Sequence, residues 1–236
     1  MFWDNRVNSL EEQALQPILS SEEMRGTDIA EADIVDVVIQ RLNNIPAYRN
    51  HFAAAFGDVT INEERIVQAI ATFERGIVAT NSPFDQYLRG NTNALSAQEI
   101  EGMQRFVEVG CADCHSGPMF SDYELHRIGV PNNNNDNGVN GSFRTPTLRN
   151  LNMTGPYMHN GIFNSLEDVV DFYDDVNGRG GNNGNQNLDP DIRDLQIRGQ
   201  DVNEIVAFIR TLTDTNFDRT IPSEVPSGLS VGGEGN

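Results

Sequence analysis

Lysine is absent: the 16 basic residues of this 236-residue chain are all arginine, against 35 acidic residues for a formal charge of −19. Such an acidic surface repels nucleic acid and anionic membranes, so nucleic-acid binding is excluded. It would steer a basic protein partner, although a plainly solvated acidic surface looks the same. Long apolar runs are also lacking, so no segment is expected to span a membrane. Cysteine occurs twice and tryptophan once, too few thiols for a disulfide scaffold. The length itself suffices for one large domain, or one and a half ordinary ones, with a real core.

Both cysteines fall in Cys111-Ala-Asp-Cys114-His115. Two thiols three residues apart with a histidine directly after the second fit covalent attachment of a c-type haem. Each thiol adds to one porphyrin vinyl group, and a one-turn separation sets both sulfurs along the same edge. His115 then lies under the iron. A disulfide between the two would leave the histidine unexplained, a thioredoxin-type pair wants a βαβ setting, and a zinc knuckle lacks a fourth ligand. Haem c is normally attached outside the cytoplasm, so a periplasmic or extracellular protein is expected. No signal peptide precedes Met1. The expectation is therefore that an export signal was removed or that Met1 is internal to a longer chain.

Helical signals dominate in chain order. Ser9 with Glu12 reads as a capping box that starts a helix at Leu10, stopped or kinked near Pro17. Ile34, Val37, Val38 and Leu42 form one apolar stripe. Ile66, Ile70, Phe73 and Ile77 form another, with Asn62 as N-cap. Pro46 opens a shorter helix ending at Gly57. His51 reads as a surface or packing residue. A short helix is expected over residues 84–90. Ser96 with Glu99 starts the helix that leads into the haem motif, delivering Phe106 and Val109 to the haem edge, and Asp201 with Glu204 caps a helix over 202–212 that should pack against it. Residues 121–130 read as extended. The Asn/Gly-rich stretches at 131–141 and 178–187 read as loops, and the tail from Pro222 as surface-wrapping or disordered.

A haem held by one histidine has a second axial face. The candidates for it are the methionines, His126, His159 and Tyr173, with Met153 and Met158 the default for an electron carrier. Methionine there raises the reduction potential, whereas a hard tyrosinate stabilises the ferric state. Arg144 and Arg149 are candidates to neutralise the haem propionates, with surface salt bridging an equal alternative.

Several segments in order, Trp3-Asp4 with Arg6, Leu10-Glu-Glu-Gln-Ala14, the haem motif with Gly117 and Phe120, Pro146-Thr-Leu-Arg-Asn150, Pro156-Tyr-Met-His159-Asn-Gly161, Leu166-Glu-Asp-Val-Val170 and Val225-Pro-Ser-Gly-Leu229, resemble the bacterial dihaem cytochrome c peroxidase and MauG family. The resemblance runs from Met1 almost to the C-terminus. It implies that the residue on the helix after the Pro-Tyr-x-His segment closes the sixth position. Peroxidases place methionine there and MauG-like members tyrosine; here it is Tyr173, so the resemblance implies His115 and Tyr173 as axial ligands. It also implies a calcium ion held through backbone oxygens of Thr154 and Pro156.

The resemblance further implies that Trp3 lies between two haems, and that Gln13, Pro17 and Glu23 belong to a peroxide pocket with Glu23 as acid/base. Asn5 stands where the family usually has glycine. The family's second, N-terminal haem motif is not in this sequence. The chain is therefore expected to be the C-terminal portion of a longer dihaem protein, or a subunit whose second haem domain or chain is separate. Hydrogen peroxide and a redox partner protein are the implied partners. The alternatives are a single-haem electron-transfer protein without catalytic activity, or a haem subunit of a larger assembly.

The fold expected is mostly α: a cytochrome c-like haem domain with long loop insertions and an N-terminal helical segment. Residues 1–95 form the helical segment, 96–221 the haem domain and 222–236 an extended tail.

Overall fold

The computed structural model describes residues 1–131, 138–176, 188–217 and 220–231. Most of the 131–141 stretch and all of the 178–187 stretch lie outside the described residues. Helices predominate, and the one sheet among the described residues is a two-stranded ladder. No described helix is long and apolar enough to cross a membrane. The chain divides into two units. One holds Val7–Val78 with the C-terminal tail; the other holds Phe2–Arg6 and Ala79–Phe217.

In the first unit, α1 (Leu10–Leu19), α2 (Ile34–Asn43), α3 (Pro46–Phe56) and α4 (Glu63–Gly76) follow the capping signals closely. The Ser9 hydroxyl accepts from the Glu12 N–H, and Asn62 accepts from the Arg65 N–H. Pro46 opens α3, and Gly57 closes it with a φ of 88°. Helix α1 runs two residues past Pro17 before ending at Ser20. Ile18, Ile34, Ile61 and Ile66 form the core, flanked by Val38, Leu42 and Ile70.

The α4 stripe departs from expectation. Phe73 is 71% exposed and Ile77 53% exposed, while Val67 and Ala71 are buried instead. The helix turns Ile66, Val67, Ile70 and Ala71 inward and ends at Gly76, so Ile77 lies beyond the last turn.

The second unit contains α5 (Pro83–Leu88), α6 (Ala97–Glu108), α7 (Cys111–Cys114), α8 (Leu166–Asp174), α9 (Pro190–Asp194) and α10 (Val202–Arg210). Strands β1 (Leu125–His126) and β2 (Phe143–Arg144) pair antiparallel, with Leu125 opposite Arg144 and His126 opposite Phe143. A full capping box, Ser96 with Glu99, starts α6 as expected.

Helices α6 and α10 pack against each other, and Gly102 lets them meet closely. A Cβ at Gly102 would lie 2.0 Å from the Glu204 carbonyl oxygen, so only glycine fits. Asp201 does not cap α10. A 3-10 turn at Gly199–Asp201 leads straight into the helix, and Asp201 already has helical φ/ψ. Its carboxylate instead accepts from Arg105 Nη2 on α6 and from the Arg198 N–H, both at 2.9 Å.

Beneath the helix pair, the rings of Phe84, Phe106, Phe120 and Phe208 meet edge-to-face, with centroids 5.3–6.5 Å apart. The first residues of the chain join this unit. The Arg144 N–H donates to the Trp3 carbonyl at 2.7 Å, and Asn5 Nδ2 donates to the Tyr123 carbonyl at 3.0 Å. Asn5 has φ 53°, so the position that the resemblance associates with glycine keeps the left-handed turn. Asparagine is among the few residues that adopt it readily.

Candidate functional site

The second unit encloses a largely apolar cavity of about 400 Å³, within the range of roughly 300–1,000 Å³ usual for small-molecule and cofactor sites. Cys111, Cys114, His115 and Tyr173 all line it. Helix α7 sets the two thiols one turn apart, and Gly110, at φ 97°, makes the sharp entry from α6. Burial pushes both thiols up to about 12, so they stand as neutral thiols rather than thiolates.

The imidazole of His115 is fixed by its backbone surroundings. Its Nδ1 lies 2.9 Å from the Phe120 carbonyl, which can only accept, so the network assigns the proton to Nδ1 and the lone pair to Nε2. Burial lowers the His115 pKa, favouring the neutral ring that a metal requires. Phe120 presents that carbonyl from a left-handed conformation, φ 53°, with its ring locked in the aromatic cluster. Core packing thus reaches the His115 ring through one hydrogen bond.

The loop between His115 and β1 is clamped to the Pro146-Thr-Leu-Arg-Asn150 segment. Thr147 Oγ1 donates to the Met119 carbonyl at 2.7 Å, Arg149 Nε to the Pro118 carbonyl at 2.6 Å, and Ser121 Oγ to the Thr145 carbonyl at 2.7 Å. Arg149 also makes a two-pronged ion pair with Asp85, both prongs at 2.9 Å, and donates to the Ala79 carbonyl. Its guanidinium is thereby committed to α5 and the loop. Arg144 lines the cavity and lies with Cζ 4.6 Å from the centre of the Tyr123 ring.

Tyr173 comes from the last turn of α8, whose start is capped by Ser165 accepting from the Asp168 N–H. Burial, then the neighbouring thiols, raise the Tyr173 pKa. Of the other candidates for the sixth position, Met158 and His159 also line the cavity, His159 stacked on Phe143 with ring centroids 3.6 Å apart. Met153 is 41% exposed and does not line it. His126 lines it too, but both of its ring nitrogens face carboxylates: Nε2 is 2.8 Å from Asp122 and Nδ1 is 2.9 Å from Asp189.

Thr154 and Pro156 lie along the same wall, with the Gly155–Pro156 bond cis. Trp3, 40% exposed, lines the cavity as well. Gln13, Pro17 and Glu23 belong to the other unit, the first two half-buried on α1 and Glu23 exposed in the turn after it.

An apolar cavity lined by two thiols one turn apart and by a histidine whose Nδ1 is tied to a backbone carbonyl fits a covalently bound haem. Cys111 and Cys114 would anchor it and His115 would be its proximal ligand. Three partners went unnoticed in the sequence: Asp85 for Arg149, and Asp122 and Asp189 for His126. The Asp122–His126 spacing of four was visible; the other two pairs, 64 and 63 residues apart, carry no local signal.

Comparison with known proteins points one way. The family model for di-haem cytochrome c peroxidase matches residues 1–93. The methylamine utilization protein MauG of Methylophilus methylotrophus is 33% identical over 90% of this chain and 63% of its own length. The cytochrome-c peroxidase IdrP1 of Pseudomonas sp. strain SCT is 32% identical over 95% of this chain and 68% of its own. A crystal structure of a MauG-like protein associated with microbial copper homeostasis superposes with a TM-score of 0.76 at 28% identity, covering 92% of this chain and 72% of that one. The chain thus spans less than two-thirds of the MauG relative.

Proposed function

Because the chain belongs to the di-haem cytochrome c peroxidase family, which takes in MauG, we propose that it carries the electron-transfer haem of a peroxidase- or MauG-type oxidoreductase. In this reading one haem c is tethered through Cys111 and Cys114 and ligated by His115 and Tyr173. The second haem comes from another domain or chain. The observation that carries the proposal is that both thiols, His115 and Tyr173 line one apolar cavity, with His115 Nδ1 tied to the Phe120 carbonyl.

Bound haem supplies one-electron redox chemistry; the residues supply its setting. Phe120 and the clamped loop hold the His115 ring at a fixed orientation. The apolar walls exclude water, which strengthens every charge interaction inside. Tyr173, as an anionic oxygen ligand, favours the oxidised metal. Trp3, which lines the cavity, would offer an indole as a path for an electron between this cavity and the second haem. Glu23 would move the proton that peroxide cleavage requires, and Gln13 and Pro17 would help to shape that pocket. Arg144 neutralises a propionate, and backbone oxygens of Thr154 and Pro156 contribute to a calcium site. Substrates are hydrogen peroxide and a redox partner protein, in the periplasm.

A pyridine haemochrome assay on the purified chain should report one haem per polypeptide. Tyr173→Phe should convert a six-coordinate low-spin spectrum to a high-spin one. An unchanged spectrum would return ligation to Met158, which shares the cavity. The chain by itself should give no peroxide turnover, and robust turnover would overturn the need for a second haem.

A further inference from the structure

His126 sits between two carboxylates, and the bonding capacities of the three groups fix its charge. Nε2 lies 2.8 Å from Asp122 Oδ2 and Nδ1 lies 2.9 Å from Asp189 Oδ2. An ionised carboxylate only accepts, so both ring nitrogens must donate, and a histidine that donates from both is an imidazolium. The second oxygen of each acid, Oδ1, accepts as well. Asp122 also accepts the Glu124 N–H at 3.0 Å, and Asp189 accepts the Asp191 N–H at 3.2 Å. Burial alone would strip the proton from His126, but the bonds to Asp189 and Asp122 outweigh it and raise its pKa.

The position of this charge gives it a use. A ring nitrogen of His126, a carboxylate oxygen of Asp122 and the Cys114 sulfur all lie within 4.8 Å of one another. The Asp122 N–H donates to the Cys114 carbonyl at 2.9 Å, and His126 and Asp191 line the haem cavity. The His126 side chain is 15% exposed and its two acids 22%, so water screens the cluster poorly. The charges bearing on Cys114 are those of Asp122, Asp191, Asp189 and Asp113, and Arg144 stands one residue along the facing strand. Amid these acids His126 carries the compensating positive charge.

We propose that the Asp122–His126–Asp189 clamp sets the reduction potential of the bound haem, His126 acting as a positioned cation at the Cys114 edge that favours the reduced iron. Nearby charge and hydrogen bonding are among the means by which a protein tunes a haem. The imidazolium of His126 opposes the downward pull of an anionic tyrosine ligand and of the surrounding carboxylates, Asp122 and Asp189 among them. The inference rests on haem attachment at Cys111 and Cys114 as read above.

The test is spectroelectrochemical titration of the haem-loaded chain at pH 6.0, with the visible spectrum of each variant checking that its axial ligands are unchanged. His126→Gln removes the positive charge and should shift the midpoint to lower potential. Asp189→Asn removes a negative charge while Asp122 keeps His126 protonated, and should shift it to higher potential. His126→Lys should recover part of the loss. Shifts of opposite sign separate an electrostatic role from a structural one, which would move both variants the same way. Shifts of the same sign, or none, overturn the proposal. If the Gln variant does not fold, the sign of the Asp189→Asn shift decides alone. Absence of covalent haem from the unaltered chain would instead sink the haem reading.

Discussion

Residues 7–78 bury a core of four isoleucines, Ile18, Ile34, Ile61 and Ile66, and leave Phe73, Ile77 and Val78 exposed. Residues 79–217 bury a far larger cluster, from Phe106 to Leu212, and tie its elements together with partly buried charge pairs: Asp85–Arg149, Asp201–Arg105 and Asp122–His126–Asp189. In the first unit the ion pairs are at the surface, as with Arg75–Glu11 and Arg65–Asp58. The contrast shows where precision is needed. The unit that encloses the cavity fixes its loops with partly buried pairs; a scaffold of amphipathic helices needs only patterning and caps.

The sharpest way to break this comparison is at the two cores. Phe208→Ala removes a ring that touches Phe84, Phe106 and Phe120, and should cost about 3–5 kcal/mol in denaturant unfolding. Ile34→Ala in the first unit should cost less, about 2–3 kcal/mol. Equal losses would erase the distinction.

Next in size, Arg149→Met leaves Asp85 without its cation, with side chains only 9% and 11% exposed, and should cost about 3 kcal/mol. The double variant with Asp85→Asn should recover part of this, because no unpaired buried charge remains. Additive losses would deny the coupling.

Acidification provides a third comparison. Burial would raise the Asp85 and Asp201 carboxyls, but Arg149 and Arg105 override it and hold both lowered. A lowered carboxyl contributes stability above its unfolded value, about 4, and loses it as pH falls through the folded value. The raised His126 behaves oppositely: its contribution is complete below the unfolded value, about 6.5, and fades as pH rises through the folded one. Thermal melts of the second unit should therefore weaken at both ends of the pH range, whereas those of the first, whose lowered acids Glu11 and Asp58 are exposed, should respond less. A flat profile for the second unit would count against the clamp. The smallest effect is expected from Asn62→Ala, which deletes the α4 cap and should cost about 1 kcal/mol, read in the same melts.

Much of the helical structure is specified by local signals. The starts of α1, α3, α4 and α6 and the Gly57 stop follow from residues within four positions of each other. The inward face of α4 departs from the sequence pattern because a stripe of 3.6-residue period does not say where the helix stops, and Gly76 ends it before Ile77. Asp201 looked like a cap, yet the preceding 3-10 turn and Arg105, 96 residues away, gave its carboxylate another task.

The sequence by itself determined the Cys111, Cys114 and His115 motif on which the proposed haem attachment rests, since the three lie within five residues and one helical turn suffices to present them. It also determined the helical class and, through motifs spread along the chain, the family. Tertiary structure alone decided which distant side chains surround that motif: that Phe120 orients His115, that Arg149 is spent on Asp85, and that His126 is held between two acids. Those pairings join residues tens of positions apart. Their partners are selected by the packing of whole helices, such as α10 against Gly102, and that packing is a property of the folded chain rather than of any stretch within it.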